Sequence, residues 1–135
     1  MVKIIFGVFM VLHGLVHLLY VGQSQRVFEL QPGMVWPDGS WAFSGFVGDE
    51  TGRKLASLLL VLASIGFVIG GAGIFVRQSW WRVAVVGAAI LSTALYILFW
   101  NGTLQNVDDQ GAIGILINGA ILAAVLIFRW PNLGF

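Results

Sequence analysis

The sequence predicts an all-α polytopic membrane protein: a four-helix antiparallel transmembrane bundle with a long outer loop after the first helix. Of the 135 residues, 59% are hydrophobic and 10% are charged, whereas roughly a quarter of the residues in a soluble domain carry charge. Four apolar runs are long enough to cross a hydrocarbon core of about 30 Å at 1.5 Å per residue. The predicted spans, which together form a single membrane domain, are 3–22, 54–76, 82–100 and 111–128.

The first span carries two histidines on one face. Its apolar run is longer than the core of a signal peptide and no small-residue cleavage site follows it, so we expect a retained helix. At 100° per residue, His13, His17 and Tyr20 fall on the same stripe. Gly7 and Gly14 flank this stripe and allow a neighbouring helix to approach closely. The stripe is therefore predicted to face the interior of the bundle.

The segment 23–53 is long for a connection in a compact protein. It contains several aromatic residues, among them Trp36 and Trp41, and a solvated linker would expose less apolar surface. We predict that this segment forms a cap across the outer mouth of the bundle. The alternative is a loop that only lies on the lipid surface.

Small residues recur along all four spans at helix-packing spacings. The short connection 77–81 makes the second and third spans antiparallel neighbours. In the second span, Gly66 and Gly70 have the GxxxG spacing that brings helix backbones together in membranes. Because every span has such a row, we expect the rows to pack the helices of one chain, with a homo-oligomer as the alternative.

The charged residues divide unequally between the two faces of the predicted bundle. With a cytoplasmic N-terminus, basic residues are slightly more numerous on the cytoplasmic side, which is the bias expected for short loops. All six acidic residues then lie on the outer side: Glu29, Asp38, Asp49, Glu50, Asp108 and Asp109. We therefore predict a multi-pass protein of a prokaryotic cell membrane (inner or plasma membrane), with its N-terminus and C-terminus both cytoplasmic.

Polar side chains within the spans fall at matching depths. Counted from the centre of each span, His13, Ser92 and Asn118 lie within about 2–3 Å of the bilayer midplane. His17 and Tyr96 lie roughly 7–8 Å toward the outer side. Since an unpaired buried donor or acceptor costs about 1–3 kcal/mol, these groups are expected to meet. They are predicted either to line a polar pocket that opens outward beneath the cap or only to connect the helices.

A mostly apolar pocket with a few polar groups suits an apolar molecule that carries one or two oxygens, such as a quinone or a lipid. His17 and Tyr96 would hydrogen-bond a carbonyl group, and Trp41 or Trp100 would cover the ring. The chain shows no second redox centre, so electron transfer would require a partner subunit. The predicted ligand-binding residues are His13, His17, Tyr20, Trp41, Ser92, Tyr96, Trp100 and Asn118.

The residue types present exclude or disfavour several other chemistries. The chain has no cysteine, which excludes thiolate metal sites and thiol exchange, and no basic patch predicts nucleic-acid binding. His13 and His17 leave one helix face, so a single chain cannot ligate a haem iron from both sides. No carboxylate lies at their depth to complete a zinc or di-iron site. A haem- or metal-binding subunit, with the haem shared between protomers, remains a further alternative, and the chain alone is not predicted to be an enzyme.

The order of several segments resembles that of the DoxX-like group of small four-helix membrane proteins. These segments are "FGVFMVLHGLVHL" in the first helix, the long outer loop, a "WWR" turn, an exit "LFWNG" and a glycine-rich last helix. The likeness covers nearly the whole chain. Some members are similar to membrane subunits of quinone-linked sulfur or thiol redox systems, so the resemblance implies an accessory subunit that binds a quinone or lipid. It assigns no role to the histidine pair, and a structural or assembly protein remains the alternative.

Overall fold

The computed structural model describes Met1 to Phe135 and contains only helices, turns and loops, which confirms the all-helical prediction. The four main helices are α1 (Val2–Ser24), α2 (Asp49–Phe75), α3 (Trp81–Leu98) and α4 (Ala112–Leu122). A 3₁₀ turn, Val107–Gln110, precedes α4, and a π-helical turn, Ala123–Ile127, continues it.

Helices α1, α2 and α3 are long and apolar enough to cross a membrane. Together with its π-helical turn, α4 forms a shorter apolar helix, Ala112–Ile127. At 1.5 Å per residue this helix is about 24 Å long, compared with a hydrocarbon core of about 30 Å. The fold therefore contains three candidate membrane spans and a shorter fourth helix, in the order predicted.

The beginning of α2 differs from the predicted span because polar residues are helical there. The helix begins at Asp49, so the last five residues of the predicted loop, 49–53, belong to it. Asp49 and Glu50 occupy its first turn, where acidic side chains interact favourably with the helix dipole. Hydropathy reports where a chain is apolar and not where its helix begins, so it does not detect this polar turn.

Consecutive helices run antiparallel and approach closely at glycines. A Cβ added at Gly71 of α2 would lie 2.8 Å from the carbonyl oxygen of Gly7 in α1. A Cβ added at Gly66 would lie 2.8 Å from the Cβ of Ala88 in α3. Only the missing side chains permit these backbone separations. The GxxxG glycine Gly66 thus packs against a helix of the same chain.

Two apolar cores are stacked along the bundle. Both chain termini lie at one end, which we call the terminal end, and the segment 25–48 lies at the other, which we call the loop end. The terminal-end core consists of Phe6, Met10, Phe67, Ile74, Trp81, Val85, Ala88, Ala89, Ile121 and Val125. The loop-end core consists of Met34, Trp36, Ala56, Leu60, Leu95, Tyr96 and Phe99.

The segment 25–48 folds back against the loop end and is held there by a buried glutamine. Gln23, in the last turn of α1, has no exposed surface. Its Nε2 donates hydrogen bonds to the carbonyl oxygens of Met34 (3.0 Å) and Trp36 (3.3 Å). Its Oε1 accepts one from the N–H of Leu30 (2.9 Å). Three backbone groups of the segment are therefore satisfied by one side chain.

The carboxylate of Asp38 also pairs with one arginine inside this segment and with one in α2. The Asp38 oxygens lie 2.5 Å from Nη2 of Arg26, just after α1, and 2.9 Å from Nη1 of Arg53 in α2. The hydroxyl of Ser24 donates to the carbonyl oxygen of Arg53 (2.8 Å). The ion pairs are partly exposed, so each stabilises the fold only modestly, but together they fix where the segment crosses the bundle.

Candidate functional site

Four polar side chains from three helices meet in the middle of the bundle. Nε2 of His13 lies 2.9 Å from Oδ1 of Asn118, and Nε2 of His17 lies 2.7 Å from Oγ of Ser92. Nδ2 of Asn118 donates to the same Ser92 oxygen at 2.8 Å. All four residues are buried, Ser92 and Asn118 completely. The structure thus brings together four of the eight predicted site residues, which we call the polar layer.

Hydrogen-bond chemistry assigns the protons of this layer. Nδ1 of His17 lies 2.9 Å from the carbonyl oxygen of His13, and a carbonyl only accepts, so Nδ1 carries the proton. Nε2 of a neutral His17 then accepts from the Ser92 hydroxyl. Ser92 in turn accepts from the Asn118 amide, whose oxygen accepts from Nε2–H of His13. Each of these hydrogen bonds then has one donor and one acceptor while both imidazoles are neutral.

The proton assignment limits what the polar layer can do. Both nitrogens of His17 are occupied by protein partners, so neither is free for the ligand carbonyl anticipated from the sequence. An amide nitrogen does not release its proton readily, so Asn118 interrupts any proton transfer between the two rings. The nitrogen of the layer that makes no hydrogen bond is Nδ1 of His13.

Aromatic side chains fill the space between the polar layer and the loop end. The ring of Phe67 lies 4.7 Å from that of His13 and 5.4 Å from that of His17, centroid to centroid. Beyond them, the rings of Tyr20, Trp36 and Tyr96 lie 5.3–5.6 Å apart in a mutually packed cluster. The space between the polar layer and Trp36 is thus occupied by side chains, and Trp36 was not among the predicted site residues.

The two tryptophans predicted to cover a ligand lie away from the polar layer. Trp41 is 59% exposed, and its indole N–H donates to the carbonyl oxygen of Ile97 at 2.7 Å. The indole N–H of Trp100 donates to the carbonyl oxygen of Thr103 at 2.7 Å. Both side chains anchor loop-end turns to α3 or to its exit.

An apolar groove lies between α1 and α4 on the terminal side of the polar layer. It encloses about 590 Å³ and is lined only by hydrophobic residues. These residues are Val2, Ile5, Phe6, Phe9, Ile117, Ala120, Ile121, Ala124 and Trp130. The Phe9 ring stacks on His13 at 5.9 Å, and Ile117 directly precedes Asn118. The groove therefore ends one helical turn from the hydrogen bond between His13 and Asn118.

The sequence did not predict this groove, because no pattern of residue types marks the positions that line it. An apolar side chain that faces lipid and one that faces a groove are alike in hydropathy and in helical period. Gln23 offered a weak signal, because a glutamine in the last turn of an apolar helix needs several partners. Trp36 offered none beyond its place in an aromatic loop.

The structure brings no group of three or more histidine, aspartate or glutamate side chains together. A haem held between two protomers stays a prediction that needs a second chain.

No family model, curated protein or solved structure matches the chain.

Proposed function

We propose that the protein is a four-span membrane protein, with both termini cytoplasmic, that binds one apolar molecule in the groove between α1 and α4. The apolar lengths of α1, α2 and α3 support the membrane placement. In that placement α4 completes the bundle by local thinning of the bilayer, which costs only fractions of a kcal/mol per Å of mismatch. The groove then opens sideways into the acyl chains on the cytoplasmic half of the membrane.

The groove itself is the observation that carries this proposal. Its volume of about 590 Å³ falls within the range of roughly 300–1,000 Å³ typical of small-molecule sites. Its wall is wholly apolar, and two residues of that wall adjoin the polar layer: Phe9 stacks on His13, and Ile117 directly precedes Asn118. An apolar molecule can therefore place its chain along the wall and its polar end beside His13.

The free nitrogen of His13 indicates which polar end fits best. In the proton assignment above, Nδ1 is an acceptor, so it suits a ligand hydroxyl better than a ligand carbonyl. Among the predicted ligands this favours a quinol over the corresponding quinone, and it equally suits a lipid alcohol. The DoxX-like resemblance implies that such a molecule is bound by an accessory subunit of a redox system, in which electron transfer requires a partner subunit.

A second candidate function has its own support. Every side-chain nitrogen and oxygen of the polar layer except Nδ1 of His13 has a hydrogen-bond partner within the protein. Such nearly complete pairing is expected of side chains that only connect helices, whereas a binding site needs groups left free for its ligand. In that case the protein is a structural or assembly protein, and the groove holds only bulk lipid.

Filling the groove separates the two functions. Ala120 lines it, so the Ala120→Phe substitution should displace a bound molecule without touching the polar layer. We expect the full chain, purified from membranes in mild detergent, to carry a quinol or lipid alcohol detectable by mass spectrometry. Ala120→Phe should reduce this content at least about tenfold, equivalent to about 1.4 kcal/mol of binding free energy.

The matched control is Ala94→Phe, an identical change at an exposed position of α3 that does not line the groove. It should keep the wild-type content of bound molecule. If nothing co-purifies with the wild-type chain, or if Ala120→Phe and Ala94→Phe retain equal amounts, the groove is not a binding site and the structural function stands.

A further inference from the structure

A second cavity, of about 630 Å³, opens at the terminal end between α3 and the π-helical turn after α4. Two arginines, Arg82 and Arg129, border it. Below them its wall is apolar and includes Val83, Val86, Val125 and Leu126. The cavity therefore combines two cations at one edge with an aliphatic surface that continues along the helices.

Neither arginine is neutralised by the protein. The three ion pairs of the structure involve Arg26, Arg53 and Lys54, all at the loop end. Arg82 donates a hydrogen bond to the carbonyl oxygen of Pro131 (3.2 Å) and lies 5.2 Å from the Trp81 ring centroid. Arg129 is exposed and makes no hydrogen bond through its side chain.

The distribution of charge makes the whole terminal end cationic. Its charged side chains are Lys3, Arg77, Arg82 and Arg129, whereas all six acidic residues lie at the loop end or in its connections. The N–H groups of Arg82 and Val83 in the first turn of α3 also lack backbone partners, and such groups favour anions. An anion at this cavity would meet donors and positive charge, with no acidic side chain nearby.

We propose that this cavity binds an anionic phospholipid, with its phosphate between Arg82 and Arg129 and an acyl chain against the valines. Guanidinium groups bind phosphate oxygens in a bidentate manner, and basic pockets between membrane helices bind anionic lipid headgroups. This inference rests on the membrane placement of the proposed function and is independent of the α1/α4 groove.

The test uses the full chain in a neutral detergent, titrated with phosphatidylglycerol or phosphatidylcholine and followed by native mass spectrometry. Phosphatidylglycerol should bind at least about tenfold more tightly than phosphatidylcholine. The Arg82→Gln/Arg129→Gln double variant should remove that preference. The Lys3→Gln/Arg77→Gln double variant removes the same charge from the same end but spares the cavity, so it should change affinity less than twofold.

A third variant keeps both arginines and fills the apolar wall. Gly87 borders the cavity, and a Cβ added there meets no atom within 4 Å, so Gly87→Phe should fold and should weaken phosphatidylglycerol binding. Equal losses in the two double variants would mean diffuse attraction to the whole face and would overturn the proposal. Competition by inorganic phosphate at lipid-like concentrations would overturn the lipid part, leaving a free-anion site.

The α1/α4 groove can fail separately from this site. Ala120→Phe should bind phosphatidylglycerol as the wild type does, whatever happens to the apolar molecule in the groove. If the protein is released from membranes by alkaline carbonate, the membrane placement itself is wrong and both proposals fall.

Discussion

Replacing Asn118 with leucine is expected to lower the free energy of unfolding by about 3 kcal/mol, because the substitution leaves two buried groups unpaired. The amide of Asn118 accepts from Nε2–H of His13 and donates to Oγ of Ser92, and its side chain has no exposed surface. Leucine is of similar size, so it creates little cavity. The cost arises from the donor of His13 and the acceptor of Ser92, each about 1–3 kcal/mol when unsatisfied.

The measurement is the unfolding midpoint of the full chain in detergent, by heat or by a denaturing surfactant. Asn132→Leu is the matched control, since Asn132 lies exposed in the C-terminal tail, and such a change usually stays within about 0.5 kcal/mol. The double variant His13→Leu/Asn118→Leu should lose less than the sum of the single changes, because one unpaired donor disappears. A midpoint for Asn118→Leu equal to that of Asn132→Leu would contradict the assigned hydrogen bonds.

The polar layer was predictable because helix geometry is regular. A fixed rise per residue places His13, Ser92 and Asn118 at one depth once the centres of three spans are known. The same count puts His17 about a turn away, and the structure shows its ring bonded to Ser92. The pairing of donors and acceptors was not predictable, because it depends on side-chain directions across three helices.

The loop end was less predictable for a different reason. Segment 25–48 has no helical or alternating period, so its path is set by tertiary contacts such as those of Gln23 and Asp38. Aromatic composition indicated that the segment is not a solvated linker, but it did not indicate that Trp36 packs against Tyr20 and Tyr96. The space directly between Tyr20, Tyr96 and the segment is therefore occupied by the Trp36 side chain.

Neither the α1/α4 groove nor the cavity between α3 and the π-helical turn (the α3/α4 cavity) could be predicted from the sequence, because α1, α3 and α4 carry apolar side chains on their exposed faces as well as on their buried faces. Lipid tails are as apolar as leucine, so a helix face that contacts lipid reads like one that contacts protein. What distinguishes the two cavities is the polar group at one end of each: His13 beside the α1/α4 groove and the arginine pair beside the α3/α4 cavity.

Replacing Gly111 with alanine is expected to destabilise the protein by about 3 kcal/mol through backbone strain and overpacking acting together. Gly111 precedes α4 with φ of +89°, a left-handed conformation in which a Cβ costs about 1–2 kcal/mol. The added Cβ would also lie 2.6 Å from Cε1 and Cγ of the Tyr96 ring. That ring is packed against Tyr20, Trp36 and His17, which oppose its displacement away from Gly111.

The cost of the left-handed backbone and the cost of the clash with Tyr96 can be measured separately. Another glycine, Gly33, has the left-handed backbone but no neighbouring side chain. Gly33 has φ of +79°, and a Cβ added there meets no atom within 4 Å, so Gly33→Ala should cost only about 1 kcal/mol. In a Tyr96→Ala background, Gly111→Ala should fall to the same value, because the ring it collides with is gone. Unfolding midpoints of these variants in detergent give the comparison. If Gly111→Ala costs no more than Gly33→Ala in the wild-type background, Tyr96 is not confined by the aromatic cluster. The space between the polar layer and segment 25–48 would then be free to admit a ligand.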